Sequence, residues 1–216
     1  MTPGVNGVPP QRAIRASWTA DRLTVYQAFR PEIAEPAART GRFGPGFSLD
    51  RMTWIKPSFL WMMGRSGWAS KPGQERILAI DVTREGFYWA LSHACLSTFE
   101  AGVHGTHENW KRQLDESPVR VQWDPERDVT LRELPWRAIQ VGLSGEAVRR
   151  YTSEWILAIR DVTALAHEIR DRAAAGDLEG AAGLVPCEKS YPVPAVACRG
   201  LGMLQGEAPG TAPSAR

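Results

Sequence analysis

The spacing of hydrophobic and polar residues along this chain predicts a mixture of short strands and helices. Apolar and polar residues that alternate with a period of two are typical of strands, and so is the one apolar, β-branched run that follows a Pro-Gly pair. Proline at the start of a segment and glycine at its end favour short helices. The predicted elements are strands at 22–29, 75–82, 119–123 and 136–143, an extended segment at 52–56, helices at 31–40, 58–65 and 86–96, and an irregular polar stretch at 97–118.

The strongest helical pattern lies between Ser144 and Gly176. Apolar residues recur there at steps of three and four, which gives one continuous hydrophobic stripe. The stripe consists of Val148, Tyr151, Trp155, Ile159, Val162, Ala166 and Ile169. We therefore predict one long C-terminal helix, and with the strands a single α+β domain around a central mixed or antiparallel sheet.

Composition divides the chain into three parts. Residues 1–11 are predicted to be a flexible leader, residues 12–184 the globular domain, and the Pro/Gly/Ala-rich residues 185–216 an extended or disordered tail. No apolar run has the length of a membrane helix, no signal peptide is evident, and three cysteines do not form a disulfide framework. These features predict a cytoplasmic protein that does not contact membranes.

The net charge of +2 conceals an uneven distribution along the chain. Residues 1–76 carry nine Arg and two Lys against five acidic residues, which gives 11 − 5 = +6. A basic first third favours an anionic ligand, although its charge is well below that of a dedicated DNA-binding face.

Residues 48–68 are the most unusual segment, since three Trp and three Met alternate there with cations and serines. Aromatic faces that stack on a planar group, with cations nearby for its phosphates, are typical of a ligand pocket. Lys56 precedes a proline and therefore lies at an element boundary, and Ser58 is placed to cap a helix whose free N–H groups would bind an anion. The alternative is that Trp54 and Trp61 are ordinary core residues.

Two acidic segments are further candidates for chemistry. Glu75 lies at the start of a predicted buried strand, where a carboxylate is either a catalytic acid or a surface charge. Residues 124–128 hold three acids and an Arg, which would ligate a divalent cation, hold a ribose hydroxyl, or simply form a turn. The pair His104 and His107 lacks the spacing of a zinc-binding helix, so we predict no metal site.

Several phrases occurring together resemble a known family. They are 14–16 (IRA), 25–28 (VYQA), 51–63 (RMTWIKPSFLWMM), 65–68 (RSGW), 122–128 (QWDPERD) and 139–143 (IQVGL). The chain resembles, over about residues 12–175, the bacterial and fungal family catalogued as domain of unknown function 4291. That resemblance implies one coherent domain and no particular reaction.

The layout is also similar to that of ADP-ribosyltransferases, which hold NAD in the cleft of a split sheet. The resemblance implies a polar residue on an early strand, an aromatic wall and a Glu on a later strand. Tyr26 and Gln27 would take the first role, Trp54 and Trp61 the second, and Glu75 the third. Gln140 or Glu146 would replace Glu75 if the order of the strands differs.

We therefore expect a nucleotide-binding transferase that moves ADP-ribose from NAD to a nucleic-acid or protein acceptor. Cations would hold the pyrophosphate, and Glu75 would stabilise an oxocarbenium-like transition state. The alternatives are a module that binds single-stranded nucleic acid without catalysis, and a metal-dependent hydrolase of small molecules. The expected catalytic residues are Glu75 and Gln140, and the expected binding residues are Arg15, Tyr26, Gln27, Arg51, Trp54, Lys56, Ser58, Trp61 and Arg65.

Overall fold

The computed structural model describes residues 10–203, which form an α+β domain as predicted. Its strands are β1 (Arg15–Ala16), β2 (Arg22–Phe29), β3 (Thr53–Ile55), β4 (Arg76–Thr83), β5 (Ala94–Leu96), β6 (Val119–Arg127), β7 (Glu133–Leu143), β8 (Ile156–Asp161) and β9 (Lys189–Ser190). Its helices are α1 (Pro31–Thr40), α2 (Phe59–Ser66), α3 (Arg84–Ser92), α4 (Ala101–His104), α5 (His107–Glu116), α6 (Glu146–Arg150), α7 (Thr163–Ala174), α8 (Leu178–Leu184) and α9 (Ala195–Gly200), with a π-helical turn at Tyr151–Trp155. Within this part of the chain, no helix combines the length and apolar character needed to cross a bilayer.

The strands form two main sheets that meet at one point. The first is antiparallel with the order β2-β4-β8, and the second has the order β3-β7-β6-β5, in which β5 and β6 run parallel. A bridge between Tyr26 and Lys56 joins β2 to the end of β3, with Tyr26 N donating to Lys56 O at 2.7 Å. The sheet is therefore split, and Lys56 lies at the junction of its halves.

Strand β4 is buried on both faces, because successive side chains alternate across a strand. Leu78 and Ile80 belong to the larger core, which is shared with the second sheet. Ile77 and Ala79 belong to a smaller core formed with α2, α7 and α8. Helix α2 is thus held against the first sheet by its own apolar residues.

The local signals around α2 and the main strands were read correctly from the sequence. Ser58 caps α2 by accepting a hydrogen bond from Trp61 N at 3.1 Å, and Gly67 ends the helix with a φ of 60°. Strands β2 and β4 and helix α1 also lie where they were predicted.

The predicted long helix at 144–176 was wrong. Its first part forms α6 and the π-helical turn, its middle forms β8, and only its last part is helical again as α7. The apolar stripe is nevertheless buried, with Val148, Tyr151 and Ile159 all in the core. Strand β4 has β2 on one side, and β8 satisfies the hydrogen-bonding groups on its other side. Tertiary strand pairing therefore overrides the helical period of the sequence.

Two neighbouring segments also differ from the prediction. The stretch 97–118 contains α4 and α5 rather than an irregular loop. Helix α5 buries none of its residues fully, and its apolar side consists only of Trp110 and Leu114, which is too short a stripe to reveal a helix. The helix predicted at 86–96 ends earlier, and its last residues form β5 beside β6.

Residues 185–203 of the tail predicted to be extended or disordered are folded. Strand β9 pairs with β1, α9 follows it, and Tyr191 and Leu201 are buried in the larger core. Residues 1–9 of the predicted leader and 204–216 of the predicted tail lie outside the described residues.

Candidate active site

The candidate active site lies at the start of α2, where Ser58 meets β6. Ser58 is buried, and its hydroxyl donates a hydrogen bond to Glu126 Oε1 at 2.8 Å. Strand β6 carries Glu126 just where its register with β7 shifts between Pro125 and Arg127. Such a β-bulge bends the strand and changes the direction of the side chains there, and bulges are common beside active sites.

Glu126 is 6% exposed, and the protein fixes one of its two carboxyl oxygens. Oε1 also accepts a hydrogen bond from Arg127 N at 2.9 Å, whereas Oε2 has no hydrogen bond within residues 10–203. Burial raises the pKa of Glu126, and its hydrogen bonds together with the positive charges of Arg15 and Arg127 oppose that rise. The free oxygen is therefore available to a ligand.

A second carboxyl, Glu188, reaches the same place from the C-terminal segment. Its Oε1 accepts a hydrogen bond from Phe59 N at 2.7 Å, and its main-chain oxygen accepts one from Arg15 Nη2 at 2.8 Å. Burial, and then the charge of Glu126, raises the pKa of Glu188 to about 8. A carboxylate at this position also complements the positive end of the α2 dipole.

These groups surround a cavity of about 210 Å³. It is lined by Arg15, Ser58, Leu60, Glu126, Arg127, Leu134, Trp136, Val185, Pro186 and Glu188. The cavity therefore combines two carboxyls of raised pKa with two guanidinium groups and one indole. Such convergence of titratable groups in a cleft is characteristic of active sites.

Lys56 forms a neighbouring polar group on the other side of Pro57. Its ammonium donates to Trp54 O at 2.8 Å and lies 5.7 Å from the centroid of the Trp61 ring. Burial lowers the pKa of Lys56 to about 7; Arg65 lowers it further, and Asp124 opposes the shift. More of such an amine is neutral at pH 7 than of an ordinary lysine, so it is more available as a nucleophile or general base.

Trp54 and Gln140 lie on the sheet close to Lys56. Trp54 packs on Gly142 of β7, where an added Cβ would come within 3.0 Å of the indole. Gln140 donates hydrogen bonds to Gln122 at 2.7 Å and to Asp124 at 2.6 Å. Gln140 therefore belongs to the Lys56 group rather than to the cavity.

Five other predicted residues lie apart from the cavity, and one of them, the exposed Arg65 of α2, is near enough to lower the pKa of Lys56. Gln27 is buried, donates to Thr53 and Trp54 O and accepts from Tyr151, so its hydrogen-bonding capacity is used structurally. Tyr26 packs edge-to-face on Phe59, and burial raises its pKa.

Arg51 lines a different cavity, of about 350 Å³, together with Arg30 and Gly73. Glu75 accepts a hydrogen bond from Gly73 N at 2.8 Å, beside that second cavity. Tyr26 pairs with Ala79 of β4, and Glu75 lies four residues before Ala79. Four residues of a strand span roughly 13 Å, so Glu75 is that far along the strand from the partner of Tyr26. The structure thus brings together Arg15 and Ser58, and groups Lys56 with Trp54, Trp61 and Gln140, but it separates Arg51 and Glu75 from both.

Sequence reasoning did not assign Glu126 a catalytic role and missed Glu188 altogether. Glu126 was considered only as part of the acidic run 124–128. Glu188 was hidden by the Pro/Gly/Ala composition around it. One signal was present, since Tyr191 is the only aromatic residue after Trp155 and marks a segment able to pack on the core.

The acids of 124–128 do not converge on one point. Asp124 bonds Gln140, Glu126 bonds Ser58, and Asp128 closes a loop by accepting hydrogen bonds from Thr130 and Arg132. Within residues 10–203, no group of three or more His, Cys, Asp or Glu side chains is arranged to hold a metal ion.

Fold and site together define an α+β domain with a split sheet and a small two-carboxyl cavity at a helix N-terminus. The chain belongs to the family described as domain of unknown function DUF4291, whose model matches residues 13–191. No curated protein and no solved structure matched the chain. The family match ends at Tyr191 and therefore includes both cavity carboxyls.

Proposed function

We propose that this protein is an ADP-ribosyltransferase-like enzyme that cleaves the glycosidic bond of NAD and transfers ADP-ribose to an acceptor. The observation that carries the proposal is the hydrogen bond between Ser58 and Glu126 beside Arg15. ADP-ribosyltransferases use a split sheet with a polar residue on an early strand and a Glu on a later one. Glu126 on β6 fits the later place, which was first expected for Glu75. Arg15 lies on β1, which pairs with β9 outside the two main sheets, and it would take the role of the early polar residue that was first expected for Tyr26 and Gln27.

Glu126 would stabilise the positive charge that develops on the ribose as nicotinamide leaves. Ser58 and Arg127 N hold its Oε1, so its Oε2 can face C1′ without reorganisation. A fixed carboxylate in a site with little water stabilises such a charge more strongly than a mobile one. The same positive charge favours the ionised form of Glu126, against the burial that raises its pKa.

The rest of the cavity suits the nicotinamide riboside half of the dinucleotide. Trp136 offers an aromatic face, and Arg15 and Arg127 offer guanidinium groups for the pyrophosphate. At about 210 Å³ the cavity is smaller than a typical site for a whole drug-sized ligand. The adenosine half would therefore lie outside it.

Release of nicotinamide from NAD by the purified protein tests this proposal. We expect release that increases when nucleic acid or cell lysate is added, and a fall of at least about 100-fold in Glu126→Gln. Glu75→Gln and Glu179→Gln are matched controls, since each removes a carboxylate that lies outside the cavity lining, and both should keep wild-type activity. Full activity in Glu126→Gln would remove this residue from the mechanism, and no release under any condition would contradict the proposed reaction.

Binding of single-stranded nucleic acid is a second candidate function. Trp54 and Trp61 are only partly buried, and the cations Lys56 and Arg65 accompany them. Stacking on such indoles would bind bases without reading their sequence. Binding that weakens steeply with salt and is lost in Trp61→Ala, while Glu126→Gln still binds, would favour this function.

The three cysteines are free, which supports a reducing compartment such as the cytoplasm for either activity.

A further inference from the structure

Glu188 has the geometry of a second working group in the cavity. Phe59 N fixes its Oε1, whereas its Oε2 has no hydrogen bond within residues 10–203. Glu126 and Glu188 thus each have one oxygen held by the protein and one oxygen free, and both line the same cavity. A ligand there contacts two carboxyls rather than one.

The position of Glu188 is fixed by the fold. It directly precedes β9, whose residues Lys189 and Ser190 pair with Ala16 and Arg15. Tyr191 follows and is buried against Trp18 and Phe87. The side chain is therefore presented by an anchored segment, which catalysis requires of a group that must lie within hydrogen-bonding reach of its substrate.

We propose that Glu188 is the catalytic base that removes a proton from the acceptor. This inference rests on the proposed function and adds the class of acceptor, a neutral group that bears a proton, such as a hydroxyl or an amine. An acceptor that is already ionised, such as a carboxylate, would not need Glu188.

The step is balanced without any further reactant. The bond between ribose C1′ and the nicotinamide nitrogen breaks, and its electron pair stays with nicotinamide. A lone pair on the acceptor oxygen or nitrogen forms the new bond to C1′. The proton of the acceptor moves to Oε2 of Glu188 and later leaves to water.

The charges around Glu188 explain how a carboxyl of raised pKa would act as a base. Burial and Glu126 raise its pKa, the hydrogen bond from Phe59 N and the charge of Arg15 oppose them, and Tyr26 is the other titratable group nearby. The nicotinamide ring of NAD is positively charged, and so is the ribose in the transition state. Positive charge beside a carboxyl lowers its pKa, so bound substrate converts Glu188 to the carboxylate that can accept a proton.

The test compares two probe acceptors, methanol and azide, with NAD as donor. Methanol must lose a proton when it attacks C1′, whereas the azide ion has none to lose. In Glu188→Gln we expect formation of the methyl glycoside to fall about 100-fold or more, with formation of ADP-ribosyl azide within about threefold of wild type. Glu126→Gln should lose both products, and the exposed Glu179→Gln should keep both.

Each other outcome overturns the inference in a recognisable way. Equal loss of both products in Glu188→Gln would show that Glu188 positions the site and does not take a proton, and unchanged formation of both would show that it has no role. A wild-type protein that yields neither product would overturn the proposed function and this inference together. Glu188→Asp keeps the carboxyl and should retain part of the methanol reaction, so it provides a second variant if the Gln variant does not fold.

Discussion

The main-chain N–H of Phe59 donates a hydrogen bond to Glu188, a residue 129 positions later in the chain, at 2.7 Å. The first turn of α2 thus receives a side-chain acceptor from a segment whose composition predicted disorder. The contact joins the C-terminal segment to the helix that also carries Ser58, and it forms one wall of the cavity. The candidate site is therefore complete only when residues 185–191 are folded against the domain.

Replacing Ser58 by alanine should destabilise the domain by about 2–3 kcal/mol, because the change removes both an N-cap and a buried hydrogen bond. Thr106→Ala is the matched control. Thr106 caps α5 by accepting from Asn109 N at 3.2 Å and is exposed. That variant should lose only about 1 kcal/mol. Urea unfolding of the three proteins measures the difference, and equal losses would mean that the bond between Ser58 and Glu126 adds no stability.

Lys56 should make stability rise between about pH 7 and its ordinary pKa of 10.5. Burial lowers the pKa of Lys56 to about 7 in the folded protein, so in this window the unfolded chain binds the extra proton. The free energy of unfolding then increases with pH by up to about 1.4 kcal/mol per pH unit. Lys56→Met should abolish this dependence and be more stable than wild type near pH 6.5. Parallel curves for the two proteins in urea unfolding at pH 6.5, 8 and 9.5 would contradict the shift.

Glu188 should have the opposite effect between about pH 4.5 and 8. Its folded pKa is raised, mainly by burial and then by Glu126, so the folded protein retains a proton that the unfolded chain has lost. Stability due to this group is greatest below pH 4.5 and falls as the pH rises to about 8. Glu188→Gln, which keeps a carbonyl oxygen for Phe59 N, should be more stable than wild type at pH 8 and nearly equal to it at pH 4.5. Thermal unfolding of both proteins at the two pH values checks this expectation.

Tyr191 should be as important for stability as a residue of the central strands. It is 5% exposed and contacts Trp18 and Phe87 edge-to-face, with ring centroids 5.8 Å and 5.6 Å away. Tyr191→Ala should cost about 3–5 kcal/mol, as truncation of a buried aromatic residue generally does. Val196→Ala is the control in the same segment, since Val196 is 75% exposed and should change stability by less than about 0.5 kcal/mol. A small effect at Tyr191 would mean that the C-terminal segment is not part of the core.

The sequence revealed burial more reliably than it revealed secondary structure. The residues of the stripe between 148 and 169 do lie in or against the core, yet the backbone there changes from helix to strand and back. Periodicity reports which side chains face the interior, but it cannot report that β4 has an open edge. Only the assembled sheet supplies the hydrogen bonds that make 156–161 a strand.

The candidate site was only partly accessible from sequence for a related reason. Arg15 and Ser58 were named because local signals mark them, namely a basic first third and a helix cap. Glu126 and Glu188 carry no local signal that separates a catalytic carboxyl from a turn or a tail. Their significance arises from being brought into one cavity, although they lie 62 positions apart in the chain (188 − 126).

The sequence by itself determined the α+β class, the positions of β2, β4, α1 and α2, and the cap at Ser58, because these depend on side-chain alternation and on single residues at element ends. Tertiary structure alone decided the strand at 156–161, the folding of residues up to 203 and the meeting of Arg15, Ser58, Glu126 and Glu188. These features depend on contacts between residues that are distant in the chain. The free energy that fixes them comes from pairing and burial in the assembled domain, which no short window of sequence contains.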